Sequence, residues 1–133
     1  MSLLERCVRA AEACAAACGQ ALAADAAYTS PGTERYSEAH LALVSCESVC
    51  MLVVRALREG DGDLALLQWC AESCAQCAAG EAPVGMPDAA WSLATRANLR
   101  CAIECHDVIE RISEFAGSAI GASRDTDFQG LRA

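Results

Sequence analysis

The stretch Cys70-Ala71-Glu72-Ser73-Cys74-Ala75-Gln76-Cys77 sets three thiols four and three residues apart, the intervals that hold side chains on one face of an α-helix. The device recurs in both directions. Upstream stand Cys7, Cys14 and Cys18, then Cys46 and Cys50; downstream stand Cys101 and Cys105. Each set keeps to one stripe of its helix, at positions that a bundle normally fills with Leu or Ile. Turn signals separate the four segments: Ser30-Pro31-Gly32, Gly60-Asp61-Gly62, and the stretch 80–87 with Pro83, Gly85 and Pro87.

The helices expected between these breaks run from Leu3 to Tyr28, Glu34 to Glu59, Asp63 to Ala79 and Asp88 to about Ala116. Thr33 before Glu34, Asp63, and Asp88 after Pro87 are placed to cap or open them. Residues 117–133, rich in Gly, Ser and Asp, read as a C-terminal tail. Short loops between four helices imply an all-α fold, an antiparallel four-helix bundle over residues 1–116 with a cysteine-lined core.

Composition agrees with this reading. A chain of 133 residues suffices for one domain. It carries twenty-nine Ala, ten Arg, no Lys and only six Phe, Trp and Tyr. Such a mixture favours helices and excludes an all-β or collagen-like chain. The formal charge of −8 provides no basic stripe for a nucleic acid. No run reaches the roughly 18 to 20 consecutive apolar residues of a membrane span, so no membrane partner is expected. Glu5, Arg6, Arg9 and Glu12 interrupt the start before any leader-like apolar run forms. The expected compartment is a reducing cytoplasm, where ten thiols serve as metal ligands or catalytic groups rather than disulfides. There is no Gly-rich phosphate loop, HExxH pair or serine-nucleophile motif, and no catalytic residue is assigned.

Residues level with each other on neighbouring antiparallel helices have numbers that add to a constant. Cys14 with Cys50 and Cys18 with Cys46 share one such value; Cys74 with Cys105 and Cys77 with Cys101 share another to within one. Two layers are expected, one of Cys18, Cys46, Cys77 and Cys101 and the next of Cys14, Cys50, Cys74 and Cys105. Cys70 and Cys7 then lie further along the axis. Leu4, Leu57, Leu66, Ile112 and Phe115 line the opposite end.

Protonated thiols pack as small apolar groups, but Ala, Val or Leu would serve that purpose equally well. Disulfides would have to cross between helices, since neighbours at i and i+4 do not meet S–S geometry. Thiolates without His or carboxylate partners select soft ions: Cu(I), Zn(II) or iron–sulfur clusters. Zinc and iron–sulfur sites usually draw on C-x-x-C loops, whereas these pairs sit mid-helix. Zinc held by four thiolates also carries −2, which is costly to bury without an inward cation. Cu(I) bridged one to one by thiolates is neutral. Multiple Cu(I) ions are therefore favoured over zinc.

Four helices that each carry CxxxC or CxxC steps, across residues 3–115, resemble the bacterial copper storage proteins. The resemblance implies a bundle, often a homotetramer, whose core thiolates hold many Cu(I) ions, and the start resembles the cytosolic branch. It implies metal ligation by Cys7, Cys14, Cys18, Cys46, Cys50, Cys70, Cys74, Cys77, Cys101 and Cys105. Ala11, Leu43, Glu81 and Val108 stand where the family ladder would continue. Capacity is then on the order of ten ions. Such a thinner site also suits a copper-dependent enzyme with a small cluster, and a zinc or redox-sensing thiol protein is a further alternative.

His40, two turns before Cys46, is placed either to hand Cu(I) inward at an open end of the tube or to sit exposed or as a cap. His106 turns away from the core. Met86 near that same end, and Met51, are soft donors, though a loop hydrophobe is the simpler reading of Met86. Glu81 and Asp25 near the mouth attract cations or are simply solvated. Trp69 and Trp91 fit packing or subunit contacts. A copper chaperone or acceptor and further copies of the chain are the expected partners.

Overall fold

The computed structural model describes residues 1–25 and 38–118, excepting the side chains of 115–118. Its order is α1 (Leu3–Ala24), α2 (Glu38–Glu59), α3 (Leu64–Ala79) and α4 (Asp88–Ser118). Packing is concentrated in the ring of neighbours α1–α2, α2–α3, α3–α4 and α4–α1, a four-helix bundle with the cysteines inside.

Local chemistry accounts for the helix ends. Ser2 and Glu5 form a capping box, the Ser2 hydroxyl accepting from the Glu5 N–H and the Glu5 carboxylate from the Ser2 N–H. Asp63 caps α3 as expected, its carboxylate accepting from the Leu66 N–H at 2.7 Å. Asp88 opens α4 as expected. It lies inside the first turn of α4, where its charge favours the positive end of the helix dipole, while the Pro87 carbonyl accepts from the Trp91 N–H. α1 stops at Ala24, earlier than the expected Tyr28, because Asp25 turns to extended backbone, its N–H donating to the Leu22 carbonyl. The expected break at Ser30-Pro31-Gly32, the Thr33 cap and the start at Glu34 lie outside the described residues, as does the tail from residue 119 onward. α4 itself crosses the expected tail boundary to end at Ser118.

Small residues let the helices approach. Ala10, Ala11, Ala17 and Ala21 of α1 and Ala94 and Ala102 of α4 are buried. At Gly19, a Cβ would meet the Glu47 carboxylate of α2 at 2.6 Å. The apolar plug at the α1 start comprises Leu4, Val53, Leu57, Leu67 and Val108. Leu67 replaces the expected Leu66, which is only partly buried beside it with Ile112; the Phe115 side chain lies outside the description. The opposite end holds Leu43, Met86, Asp25 and His40.

α2 qualifies the membrane expectation, which counted unbroken apolar runs. By length and composition it alone among the described helices could cross a bilayer, with mean hydropathy 1.6. Part of that apolarity is core, since Leu43, Cys46, Val49, Cys50, Val53 and Leu57 face inward. Leu41, Val44, Met51 and Leu52 remain exposed on its outer side.

α2 ends in a Schellman motif: the Gly60 N–H donates to the Leu57 carbonyl and the Asp61 N–H to that of Ala56. Gly60 has φ 80°, a conformation that Cβ disfavours. Gly60→Ala is therefore expected to destabilise the protein by about 1 to 2 kcal/mol, read from urea unfolding of the reduced protein; an unchanged midpoint would contradict the motif's role.

Candidate metal centre

All ten cysteines are free and buried, with exposures of 0 or 1%. Cys14 of α1, Cys50 of α2, Cys74 of α3 and Cys101 of α4 bring their sulfurs mutually within 4.8 Å, one from each helix. Cys70, Cys101 and Cys105 form a second such group, so Cys101 belongs to both. Cys50 lies 3.7 Å from Cys74 and 3.9 Å from both Cys70 and Cys101. Cys7 extends the array through Cys105 at 3.7 Å. At the other end lie Cys18, Cys46 and Cys77, Cys46 donating to the Ser73 carbonyl at 3.2 Å and interacting electrostatically with Cys74 and Cys77, as Cys18 does with Cys14. The close sulfur contacts run continuously through Cys7, Cys105, Cys101, Cys70, Cys50, Cys74 and Cys14, with Cys18, Cys46 and Cys77 buried at one end of them.

This corrects the expected layers. Cys101 is level with Cys14, Cys50 and Cys74, not with Cys18, Cys46 and Cys77, and Cys105 moves on to join Cys70 and Cys7. α4 is shifted by one turn because Cys70 and Cys74 share the four-residue spacing of Cys101 and Cys105, so two registers satisfy the same pattern. The vacated level beside Cys18 is taken by Asn98, which sequence reasoning missed although it continues the 98, 101, 105 ladder of α4. Asn98 is fully buried; its Nδ2 donates to Cys18 at 3.3 Å and to the Ala94 carbonyl at 2.8 Å. Its Oδ1 has no hydrogen-bond partner among the described residues.

Ala11, Leu43 and Val108 occupy ladder positions, each 0% exposed. Glu81 does not, since α3 ends at Ala79 and Glu81 is exposed. His40 is 4% exposed, neither at a solvent-facing mouth nor within a sulfur group; its Nδ1–H donates to the Asp25 carboxylate at 2.9 Å. Asp25 is thus buried rather than solvated. Met86 is a buried hydrophobe, Met51 is exposed, and His106 faces outward as expected. Trp69 is half exposed, and Trp91 is partly buried against the core.

A family model described as Csp, copper storage protein, matches residues 1–116. The chain belongs to the copper storage protein family. Comparison with curated proteins and with solved structures gives no significant match. Family membership and the buried thiol groups together make this a copper-binding, copper-storage scaffold.

Electrostatics in the storage core are organised around a few sulfurs. Cys101 is held far below the ordinary thiol range by S–H donors from Cys105, Cys14, Cys50 and Cys70. The bond to Cys101 is in turn the leading cause that pushes Cys14, Cys50, Cys74 and Cys105 far up, and burial adds to it. Cys46 is lowered to about 4 by Cys74 and Cys77 as donors; the Ser73 carbonyl, 3.2 Å away, favours its thiol form but is outweighed. Cys77 is correspondingly pushed up, first by that bond and then by burial. Cys101 raises Cys70, yet donors Cys105, Cys50 and Cys74 bring it to about 5. Every Arg among the described residues is exposed, so none of these guanidinium groups balances further thiolates. Glu104 is a second buried carboxylate besides Asp25, at the α1–α4 seam between Arg6 and Arg100.

Groups kept protonated in the fold stabilise it below the unfolded thiol value of 9.0 and lose that contribution as pH rises past it. Five thiols, Cys14, Cys50, Cys74, Cys77 and Cys105, are of this kind. The chain has no Lys to obscure the alkaline range. The reduced apoprotein should therefore lose stability above pH 9, its folding constant falling about tenfold per pH unit for each retained proton. Urea midpoints measured between pH 8 and 10.5 check this, and a flat profile would contradict it.

Proposed function

We propose that this protein holds several Cu(I) ions through its core thiolates, storing or buffering copper in the cytoplasm. The observation that carries the reading is the set of ten buried sulfurs, seven of them in close contact, with every Arg among the described residues exposed. Cu(I) replaces a proton at each thiol, so one ion per thiolate fills the core without net charge, whereas any ion that leaves excess thiolate charge faces the burial penalty. The ligands are the ten cysteines, with His40 a further candidate, since the Asp25 contact at Nδ1 orients its ring as carboxylates do for metal-binding histidines. Cys101, shared by both groups, is the pivotal ligand.

Ten free thiols support a reducing compartment. The exposed apolar residues of α2, Leu41, Val44, Met51 and Leu52, support assembly of several copies, four by family resemblance. A copper-donating or copper-accepting protein is the natural partner. One observation favours a second reading: three of the six sulfur separations in the group of four, at 3.7 to 4.0 Å, lie close to the edge, about 3.8 Å, of a tetrahedron around zinc, the others lying within 4.8 Å.

Anaerobic titration of the reduced protein with Cu(I) against a chromophoric competitor separates the two. Saturation near about ten equivalents per chain is expected, with affinity falling as pH falls because each ion displaces a proton. Cys101→Ala should cost more than one equivalent, since it opens both groups. Saturation at one to four equivalents would point to a small defined site. Failure to compete, with tight uptake of a single Zn(II), would overturn storage.

A further inference from the structure

The axial end nearest Cys18 is filled by Leu43, Met86 and the buried His40–Asp25 pair. Copper must nevertheless reach sulfurs that are at most 1% exposed. A surface pocket of about 520 Å³ opens sideways between the start of α2, the end of α3 and the 80–87 loop, and Cys77 is part of its lining. Two other cavities, of about 430 and 370 Å³ along α1 and α2, are lined by no thiol. The Cys77 pocket also presents Glu38 and Glu81, both exposed, with Ala42 and Trp91 on its walls.

We propose that copper is exchanged through this side pocket, with Cys77 as the first thiol to take the incoming ion, a role that rests on the Cu(I) storage reading. Behind Cys77 stand Cys46, which reaches the Ser73 carbonyl at 3.2 Å beside Cys74 and interacts electrostatically with both Cys77 and Cys74, and then Cys74 itself, a member of the group of four. The pocket is far larger than a bare ion, so it accommodates Cu(I) still carrying a small soft ligand. The two carboxylates select a complex that is neutral or cationic. In the transfer the bond from copper to the departing ligand breaks as the bond to Cys77 Sγ forms. The Cys77 proton leaves to solvent through the pocket, and copper stays in the +1 state. The ion then passes inward by the same exchange, sulfur to sulfur.

The test is anaerobic stopped-flow loading of the reduced full chain with the cationic acetonitrile complex of Cu(I), followed by copper–thiolate absorption, with rate and final equivalents read separately. Ala42→Trp fills the pocket without removing a thiol and should slow loading at least tenfold at an unchanged end point. Cys77→Ala should load as slowly and finish about one equivalent short. Cys7→Ala, at the far end of the array, should finish short at the wild-type rate. Replacing both Glu38 and Glu81 by Gln should slow the cationic complex several-fold. Wild-type rates in both Ala42→Trp and Cys77→Ala, with normal wild-type capacity, would overturn the Cys77 route alone; should Ala42→Trp not fold, Cys77→Ala decides it. A wild type that takes up no copper would overturn the storage reading itself.

Discussion

Ten sulfurs must share one buried interior while every described Arg stays exposed, and the rest of the structure depends on that constraint. As neutral thiols they pack like small apolar residues; as thiolates they need either donated protons or metal. Concentrating charge on Cys101 and Cys46, each served by neighbouring S–H groups, lets the empty core stay folded. Cys14, Cys50, Cys74, Cys77 and Cys105 keep their protons, while Cys18 and Cys70 are lowered along with Cys101 and Cys46. On the storage reading proposed above, copper would replace those protons at the same sulfurs.

The surrounding architecture serves that exchange. Buried Ala on α1 and α4 brings the backbones close enough for sulfurs of four helices to come within 4.8 Å. Ala11, Leu43 and Val108, at positions where further thiols would extend the ladder, limit the array, and Leu4, Val53, Leu57 and Leu67 close one end with hydrocarbon. Asn98 ends the α4 ladder differently, with an amide N–H directed at Cys18. Its bare Oδ1 costs roughly 1 to 3 kcal/mol, a penalty that a purely packing side chain would avoid. All the described Arg stay outside, so the interior remains without a fixed positive charge.

Much of this was legible in the chain. Steps of three, four and seven put the thiols on inward stripes, and Pro and Gly marked the loops, because both are local consequences of backbone geometry. Vertical register was not legible. Cys70 and Cys74 can pair with Cys101 and Cys105 in either of two heights one turn apart, and the packing of the whole of α4 decides between them. The Leu66 and Leu67 exchange is a phase error of one residue, within what a helical stripe leaves open. His40 with Asp25, and Glu104 with Arg6, unite residues from different helices. Their polarity suggested the surface, whereas pairing allows burial. The Ser2–Glu5 capping box was readable from S-x-x-E spacing and was overlooked.

The central claim, that sulfur from all four helices holds copper collectively, is tested most directly by X-ray absorption at the copper edge on fully loaded, reduced protein. The account predicts a Cu(I) edge, nearest neighbours that are overwhelmingly sulfur, and a short copper–copper distance from ions bridged by shared thiolates. Nitrogen or oxygen as the main nearest neighbours, or isolated copper with no copper neighbour at full loading, would contradict it.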